Sequence, residues 1–189
     1  MAVDEQYAAP LFVTVGSLLD SLQAGTGLDL YVMDGGLMPG TRTKLACAWG
    51  ERVRLHWLHL DARKLESLRG YGHTGSLAAY LRLLAGSSLP EDVLKVIYLD
   101  SDLLIRKDVL ELWQKDMQGN IVLAVQDSYI QRLPSGSHPA QEVVKGERPY
   151  FNSGVMVLDM DAWRVSEVEQ CCQPLAQTRG LIQSLRGRG

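Results

Sequence analysis

Cysteine, phenylalanine and long apolar runs are scarce in this sequence of 189 residues. There are 3 cysteines and 2 phenylalanines. Cys171 and Cys172 are adjacent and no Cys-X-X-Cys pair occurs, so the cysteines indicate neither an ordinary disulfide framework nor a zinc site of that type. We interpret all three, including Cys47, as small buried apolar residues of a protein in a reducing, cytoplasmic setting.

Signals for a membrane or for nucleic acid are also missing. No apolar run approaches the length that spans a bilayer, and the N-terminus does not resemble a signal peptide. The formal net charge is −3, which does not indicate a general affinity for nucleic acid. We therefore expect neither a transmembrane segment nor a nucleic-acid partner.

Two common nucleotide-binding motifs are absent. Gly25-Thr26-Gly27 lacks the third glycine of the dinucleotide fingerprint and precedes a predicted strand instead of following one. The Gly-Lys-Ser or Gly-Lys-Thr sequence of a phosphate loop does not occur. A dinucleotide-dependent enzyme and a P-loop enzyme are therefore not supported.

The most informative feature that is present is an apolar run, 93–99, that ends at Asp100-Ser101-Asp102. Its richness in Val, Ile, Leu and Tyr predicts a strand buried on both faces. Ligands of open α/β sheets bind beyond the carboxyl ends of the strands, where Asp100 and Asp102 are expected to lie. Two carboxylates there suit Mg²⁺ or Mn²⁺, together with a phosphate group.

Two other interpretations of the Asp-X-Asp pattern remain open. Asp is common in turns, so a plain turn after the strand explains the tripeptide without any ligand. Phosphatases of the haloacid dehalogenase type also carry Asp-X-Asp after an apolar strand, although near the N-terminus and with different residues following. Arg82, on a predicted helix that precedes the strand, is either a solvated charge or an arginine that reaches the carboxylates.

Alternating helical and strand patterns predict one α/β domain with a largely parallel sheet. The predicted strands are 28–33, 53–58, 93–99, 121–125 and an apolar strand after Asn152-Ser153-Gly154. The first predicted helix begins at Pro10. Two more are predicted over 41–49 and 77–85, and the last is predicted to be capped by Asp161. The first helix has an apolar stripe of Leu11, Phe12, Val15, Leu18, Leu19 and Leu22. The polar segment 127–148 is predicted to form a lid over a site.

Four blocks of sequence, in order along roughly residues 1 to 165, carry a resemblance to a known family. They are Asp4-Glu5-Gln6-Tyr7-Ala8, Tyr80-Leu81-Arg82-Leu83, the motif from Lys95 to Asp102, and Tyr150-Phe151-Asn152-Ser153-Gly154-Val155 with Asp161-Ala162-Trp163-Arg164 downstream. Together they resemble the family 8 glycosyltransferases, which include lipopolysaccharide galactosyltransferases, glycogenin and galactinol synthase.

The resemblance implies a GT-A fold, that is, a Rossmann-like mixed and largely parallel sheet with helices on both faces. It implies transfer of a hexose from a UDP-sugar, with retention at the anomeric carbon and with Mn²⁺ or Mg²⁺ as cofactor. The implied acceptor is a carbohydrate or a lipid-linked, lipopolysaccharide-type glycan. The expected location is the cytoplasm, at the inner membrane face if the acceptor is lipid-linked.

The resemblance also assigns roles to residues. Asp100 and Asp102 would bind the metal, Ser101 would contact the ribose through its backbone, and Arg82 would contact the donor sugar or diphosphate. Asp4, Gln6 and Tyr7 form the nucleotide-binding loop, with Asp4 and Tyr7 at the uracil. Asn152 and Ser153 would bind sugar hydroxyls, and Asn152 and Arg82 are the implied catalytic residues.

Two family segments that follow the last helix have no counterpart here. One is an Asp-Gln-Asp-like block, and the other is His-X-X-Gly-X-X-Lys-Pro-Trp, whose His is a metal ligand. We therefore expect a nucleotide-sugar-binding domain over residues 1–178, shortened at both ends relative to the family, and a frayed basic tail over 179–189. The alternative to an active transferase is a catalytically silent nucleotide-sugar-binding fragment or partner-binding module.

Overall fold

The computed structural model describes residues 1–60, 78–128 and 150–171 of the chain. Most of the predicted lid at 127–148, the start of the helix predicted at 77–85, Cys172 and the tail at 179–189 lie outside these residues. Every statement below refers to the described residues.

The first half of the chain forms a three-stranded parallel sheet in the order β1-β2-β3. Its strands are β1 (Ala2–Val3), β2 (Leu28–Asp34) and β3 (Val53–His59), and the connecting helices are α1 (Ala8–Ser21) and α2 (Pro39–Trp49). Ala2 pairs with Met33, and Leu28 pairs with Val53. Helices between parallel strands are typical of right-handed crossover units, as the alternating pattern predicts.

The second half forms a three-stranded antiparallel sheet in the order β4-β6-β5. Its strands are β4 (Lys95–Leu99), β5 (Val122–Gln126) and β6 (Phe151–Asp159). Short helices flank them: α3 (Ala78–Leu81), α4 (Ala85–Ser88), α5 (Leu110–Trp113) and α6 (Met160–Val165). Leu99 pairs with Val155, so the carboxyl end of β4 lies beside the beginning of β6. The predicted mixed α/β architecture is confirmed.

Strand β4 differs from its prediction in length and burial. It begins at Lys95 because Val93 is held in a turn, where its N–H donates to the Pro90 carbonyl at 3.1 Å. Only Tyr98 and Leu99 are buried, whereas the first three residues are half-buried. The prediction of a seven-residue strand buried on both faces is therefore wrong, because an open cleft runs along its first half.

Several local predictions are also wrong in detail. Helix α6 is capped by Asp159, whose Oδ1 accepts from the Ala162 N–H at 2.9 Å, while Asp161 lies inside the first turn. Helix α1 begins at Ala8, because a 3-10 turn over Glu5–Tyr7 leads directly into it. Another 3-10 turn, Arg82–Leu84, separates α3 from α4 within the predicted helix 77–85.

The burial of three side chains contradicts the sequence reasoning. Cys47 and Cys171 are exposed, so the interpretation of these cysteines as core residues is wrong. Phe12 is 47% exposed although it was assigned to the apolar stripe of α1, whereas Thr14 on the same helix is fully buried. Helix α1 therefore presents a polar group, the Thr14 hydroxyl, to the interior.

Two buried clusters hold the halves together. Both contain residues from each sheet: Ala2, Met33, Tyr98 and Met156 share one cluster, and Val3, Val32 and Leu99 share the other. A cleft of about 570 Å³ lies between the first residues of β2 and β4, and Met1 lines it. The Met1 ammonium donates to the Tyr31 carbonyl at 2.9 Å, and burial lowers its pKa to about 5. None of the helices in the described ranges combines the length and apolarity needed to cross a bilayer.

Candidate functional site

Asp100 is the centre of a cluster at the carboxyl end of β4. Its Oδ1 accepts from the Arg82 Nη2 at 2.8 Å and from the Tyr98 hydroxyl at 3.0 Å. Burial raises the pKa of Tyr98, so the phenol stays protonated and donates to the carboxylate. Among the described residues no side chain bonds to the other oxygen, Oδ2.

Arg82 joins the carboxylate to strand β6. The 3-10 turn between α3 and α4 directs its side chain toward β4, where the guanidinium carbon lies 4.8 Å from the centre of the Tyr98 ring. Its Nη1 donates to the Ser153 carbonyl at 2.5 Å. The structure thus supports the second of the two interpretations of Arg82, an arginine that reaches the carboxylates. The residue is half-buried, which strengthens its pairing with Asp100 relative to a surface ion pair.

The start of β6 packs directly against Asp100. The Asp100 N–H donates to the Gly154 carbonyl at 2.8 Å. A Cβ at position 154 would lie 3.0 Å from Asp100 Oδ2 and 3.1 Å from Asn152 Oδ1, so a side chain there would displace one or both groups. The Gly154 N–H donates to Asn152 Oδ1 at 2.9 Å, which leaves the Asn152 amide nitrogen facing outward.

Asp127 is a site residue that sequence reasoning missed. Its Oδ2 lies 3.4 Å from Asn152 Nδ2, and its N–H donates to the Tyr150 carbonyl at 2.9 Å. In the sequence it is the first residue of the polar segment 127–148 and was assigned to the lid. The signal that could have found it is its position directly after a strand, the same position that drew attention to Asp100.

Helix α1 fixes the backbone that follows Asp100. The Thr14 hydroxyl lies 3.0 Å from the Ser101 carbonyl and 2.8 Å from the Leu103 carbonyl, and it accepts from the Leu103 N–H at 2.9 Å. Ser101 is buried, whereas Asp102 is exposed and no side chain in the described part of the chain pairs with it. The turn therefore buries Ser101 and directs Asp102 toward solvent, which explains the buried Thr14.

The predicted nucleotide-binding loop forms a second group at the carboxyl end of β1. Asp4 Oδ1 accepts from the N–H groups of Gln6 and Tyr7 at 3.1 and 3.2 Å, so the carboxylate caps the 3-10 turn. Gln6 is exposed and Tyr7 is half-buried. Because Val3 and Leu99 share a buried cluster, the Asp4 turn and the Asp100 turn both leave the fold from the same region.

Direct contacts thus bring together Arg82, Asp100 and Ser153, and Gly154 links Asn152 to Asp100, while Asp4, Gln6 and Tyr7 form a separate turn. The donor set fits a hard divalent cation only in part. Asp100 Oδ2 and the exposed Asp102 carboxylate offer oxygen ligands of the kind that Mg²⁺ and Mn²⁺ prefer. Within residues 1–60, 78–128 and 150–171, however, no cluster of three or more His, Cys, Asp or Glu occurs.

Comparison with known proteins adds two relatives of known sequence. The chain is 28% identical to general stress protein A of Bacillus subtilis over 172 residues, which are 88% of this chain and 57% of that protein. It is 26% identical to a lipopolysaccharide 1,2-glucosyltransferase of Escherichia coli over 162 residues, which are 85% of this chain and 47% of that protein. The chain therefore spans about half the length of these relatives.

A solved structure shows the same fold. The galactosyltransferase LgtC, in complex with donor and acceptor sugar analogues, superposes with a TM-score of 0.73 over 95% of this chain and 68% of that chain, at 24% sequence identity. This likeness confirms the predicted GT-A fold. The sequence model of the family Glycosyl transferase family 8 matches residues 1–185, which is nearly the whole chain. The chain belongs to glycosyl transferase family 8.

Proposed function

We propose that this chain is the nucleotide-sugar-binding part of a retaining hexosyltransferase that uses a UDP-sugar and a divalent cation, Mn²⁺ or Mg²⁺, at Asp100-Ser101-Asp102. The observation that carries the proposal is the asymmetry at Asp100. Two donors occupy Oδ1, whereas no side chain of the described residues bonds to Oδ2, which lies beside Gly154. Family membership favours this function over the phosphatase alternative.

In the proposed reaction the bond between the anomeric carbon and the diphosphate oxygen breaks, and the bonding pair leaves with UDP. The acceptor hydroxyl oxygen forms the new bond to the anomeric carbon, and its proton passes to the departing diphosphate oxygen or to water. When bound, a divalent cation would supply Lewis-acid stabilisation of the negative charge on that diphosphate. Asp100 and Asp102 would hold that cation, and the donor's own phosphate oxygens would complete its shell.

The contacts of the chain's other groups fit their proposed roles. Asn152 Oδ1 is engaged by the Gly154 N–H, so Asn152 would donate from Nδ2 to a sugar hydroxyl. The Ser101 carbonyl is bound to Thr14, so a backbone contact from Ser101 to ribose would use its N–H. Arg82, anchored on Asp100 and Ser153, carries the positive charge that would face the diphosphate or donor sugar. Ser153 would contribute its hydroxyl to the sugar side.

For the turn at β1 we propose contact with the uracil, with the Tyr7 ring stacking on the base and Asp4 and Gln6 at its edge. The Asp4 Oδ1 atom caps the turn, which holds the carboxylate at the start of this loop. We propose a carbohydrate or lipid-linked glycan as acceptor and a cytoplasmic location, at the inner membrane face for a lipid-linked acceptor.

The test is a thermal melt of the whole chain with UDP, in the presence and absence of Mn²⁺. A ligand that binds the folded state alone raises the melting temperature, and at a hundredfold excess over Kd the gain is about 2.7 kcal/mol. We expect a UDP-dependent rise that requires Mn²⁺ and is lost in Asp102→Asn. The matched control is Asp92→Asn, which removes an exposed carboxylate outside the site. An equal rise in Asp102→Asn would disprove the metal site.

A catalytically silent nucleotide-sugar-binding module is the second candidate. It is favoured by the donor set of the described residues, which offers two carboxylates and no cluster of three or more His, Cys, Asp or Glu. Release of UDP from UDP-galactose and UDP-glucose, with and without a glycan acceptor, separates the two. Turnover that Asp102→Asn abolishes supports the transferase, whereas Mn²⁺-dependent binding without turnover supports the silent module.

A further inference from the structure

Tyr98 and Asp100 lie two residues apart at the end of β4, so their side chains leave the strand on the same side. Tyr98 is 3% exposed, and its ring belongs to the buried cluster that includes Ala2 and Met156. A leucine or phenylalanine would fill that place equally well by apolar packing alone. The tyrosine adds a hydroxyl that reaches Asp100 Oδ1 at 3.0 Å.

The hydroxyl decides how the Asp100 carboxylate is used. Each oxygen of an ionised carboxylate has two acceptor sites, and Oδ1 fills both with Tyr98 and Arg82. Within the described residues Oδ2 therefore keeps its lone pairs, and the position 3.0 Å from it, where a Cβ of residue 154 would lie, is left unfilled because Gly154 has no side chain. The carboxylate is fixed through one oxygen and available through the other.

The ring of Tyr98 also restrains the orientation of the Arg82 guanidinium. Arginine and carboxylate commonly pair through two parallel hydrogen bonds, which would occupy both oxygens of Asp100. Here the contact is single, from Nη2 to Oδ1, because Nη1 is bound to the Ser153 carbonyl and the guanidinium lies over the Tyr98 ring. Without the Tyr98 hydroxyl, Arg82 would be the one remaining donor to Oδ1 among the described side chains, and the carboxylate could turn about that single bond and direct Oδ2 away from a cation.

We propose that Tyr98 is a positioning residue for the metal site. Its hydroxyl bonds to Oδ1 of Asp100 and its ring packs against the Arg82 guanidinium, so that Oδ2 remains available to a divalent cation. This inference rests on the proposed function, because it concerns the same cation. It adds a residue whose role lies in directing the carboxylate and which itself contacts neither the cation nor the sugar.

The experiment measures the Mn²⁺ affinity of the whole chain at saturating UDP, by electron paramagnetic resonance of free Mn²⁺. Tyr98→Phe keeps the ring and removes only the hydroxyl. Loss of a group that orients a metal ligand typically weakens metal binding by 10- to 100-fold, and we expect a loss of about tenfold. Tyr31→Phe is the matched control, since it removes only a hydroxyl group from a tyrosine of β2 whose ring stacks on His56. It should leave the Mn²⁺ affinity unchanged.

A double-variant cycle separates positioning from general damage. If Tyr98 acts through Asp100, then Asp100→Asn and the double variant Tyr98→Phe/Asp100→Asn bind Mn²⁺ equally weakly. Additive losses, an unchanged Mn²⁺ affinity in Tyr98→Phe, or an equal loss in Tyr31→Phe would overturn the inference. A Tyr98→Phe chain without cooperative melting would also overturn it, because the hydroxyl would then serve the fold.

Failure of the proposed function gives a different pattern. If the wild-type chain binds no Mn²⁺, or if Asp100→Asn leaves binding intact, the metal site at Asp100-Ser101-Asp102 is disproved and the role of Tyr98 falls with it. If Asp100→Asn abolishes binding and Tyr98→Phe does not change it, the metal site stands and only the positioning role is disproved.

Discussion

Gly154 shows how a single missing side chain can shape a site. A Cβ at this position would meet Asp100 Oδ2 at 3.0 Å and Asn152 Oδ1 at 3.1 Å, both closer than ordinary van der Waals contact. Neither group can move freely, because Asp100 is held by Arg82 and the Asn152 oxygen by the Gly154 N–H. The position therefore requires a glycine for steric reasons.

We predict that Gly154→Ala abolishes the Mn²⁺-dependent stabilisation by UDP, because the added methyl group occupies the open side of Asp100. Overpacking of this kind costs about 1–3 kcal/mol of stability, so the variant should remain folded. The control is Gly16→Ala on α1, where no atom lies within 4 Å of the added Cβ. That substitution should raise stability by about 0.5–1 kcal/mol and leave UDP binding unchanged. Normal UDP stabilisation in Gly154→Ala would contradict the prediction.

The Thr14 hydroxyl joins helix α1 to the backbone that follows Asp100. Thr14→Val keeps the shape but leaves two backbone carbonyls, those of Ser101 and Leu103, and one N–H group without their partner. The expected loss in the free energy of unfolding is about 1–3 kcal/mol, measured by urea titration. Thr14→Ser keeps the hydroxyl and should lose less. Equal losses in the two variants would show that the methyl group, and not the hydroxyl, is what α1 contributes.

Single residues mark how far the sequence could predict the site. Asp100, Asp102 and Arg82 were recognisable because strand ends and charged residues are local signals. Tyr98 and Thr14 were not, since each reads as an ordinary residue of its own strand or helix. Their roles depend on which element lies opposite, and hydrophobic periodicity reports the buried face of an element without identifying its neighbour.

At the scale of elements, the pairing of β6 with β4 creates the site. The chain places β5 between them in sequence, yet β6 lies between β4 and β5 in the sheet. This order brings Gly154 and Asn152 next to Asp100, some fifty residues earlier in the chain. Strand composition predicted that each strand exists, but pairing across such distances depends on tertiary packing, so the sequence predicted the residues without their contacts.

Arg164 of helix α6 bonds to several backbone carbonyls of the segment before β4. Arg164 donates from Nε to the Gly86 carbonyl at 3.1 Å and from Nη2 to the Pro90 carbonyl at 2.8 Å, and its Nη1 lies 3.3 Å from the carbonyls of Glu91 and Val93. The guanidinium thus satisfies carbonyls at the end of α4 and in the turn that delivers β4. Apart from the position of Arg164 in the resemblance block, no local pattern predicts this role.

We predict that Arg164→Lys destabilises the chain by about 1–3 kcal/mol, because a lysine cannot present the planar fork that reaches several carbonyls at once. The measurement is urea-induced unfolding, with Arg106→Lys as the control at an exposed arginine. Hydrogen exchange should show the largest loss of protection in β4, at Lys95–Leu99, because that strand follows the released turn. Equal stability of the two lysine variants would contradict this prediction.

At the scale of the whole molecule, the two sheets are joined by shared buried clusters and separated on one side by the cleft beside β2 and β4. The alternating pattern of helices and strands predicted the α/β class, because layer architecture follows from which faces are apolar. It could not predict the cleft. A cleft is a property of how the sheets approach each other, and the residues that line it, such as Leu30, Tyr31 and Val96, look like ordinary strand residues.

The Met1 ammonium at the edge of this cleft makes the stability of the chain depend on pH. Burial lowers its pKa from 8.0 to about 5 in the folded state. Between those values the unfolded chain binds a proton that the folded chain does not, so stability rises as the pH rises from 5 to 8. This lowering of the Met1 pKa changes the free energy of unfolding by at most about 4 kcal/mol between pH 5 and pH 8.

We predict that acetylation of Met1 removes this pH dependence, since an amide keeps a donor for the Tyr31 carbonyl without carrying a charge, and the cleft offers room for the acetyl group. Ligation of a synthetic 1–46 segment at the exposed Cys47 gives acetylated and free chains that are otherwise identical. The acetylated chain should be more stable at pH 5.5, and the difference should vanish above pH 8. A difference that does not change with pH would show that the free amine is solvated in the folded state, because only a buried amine releases its proton on folding.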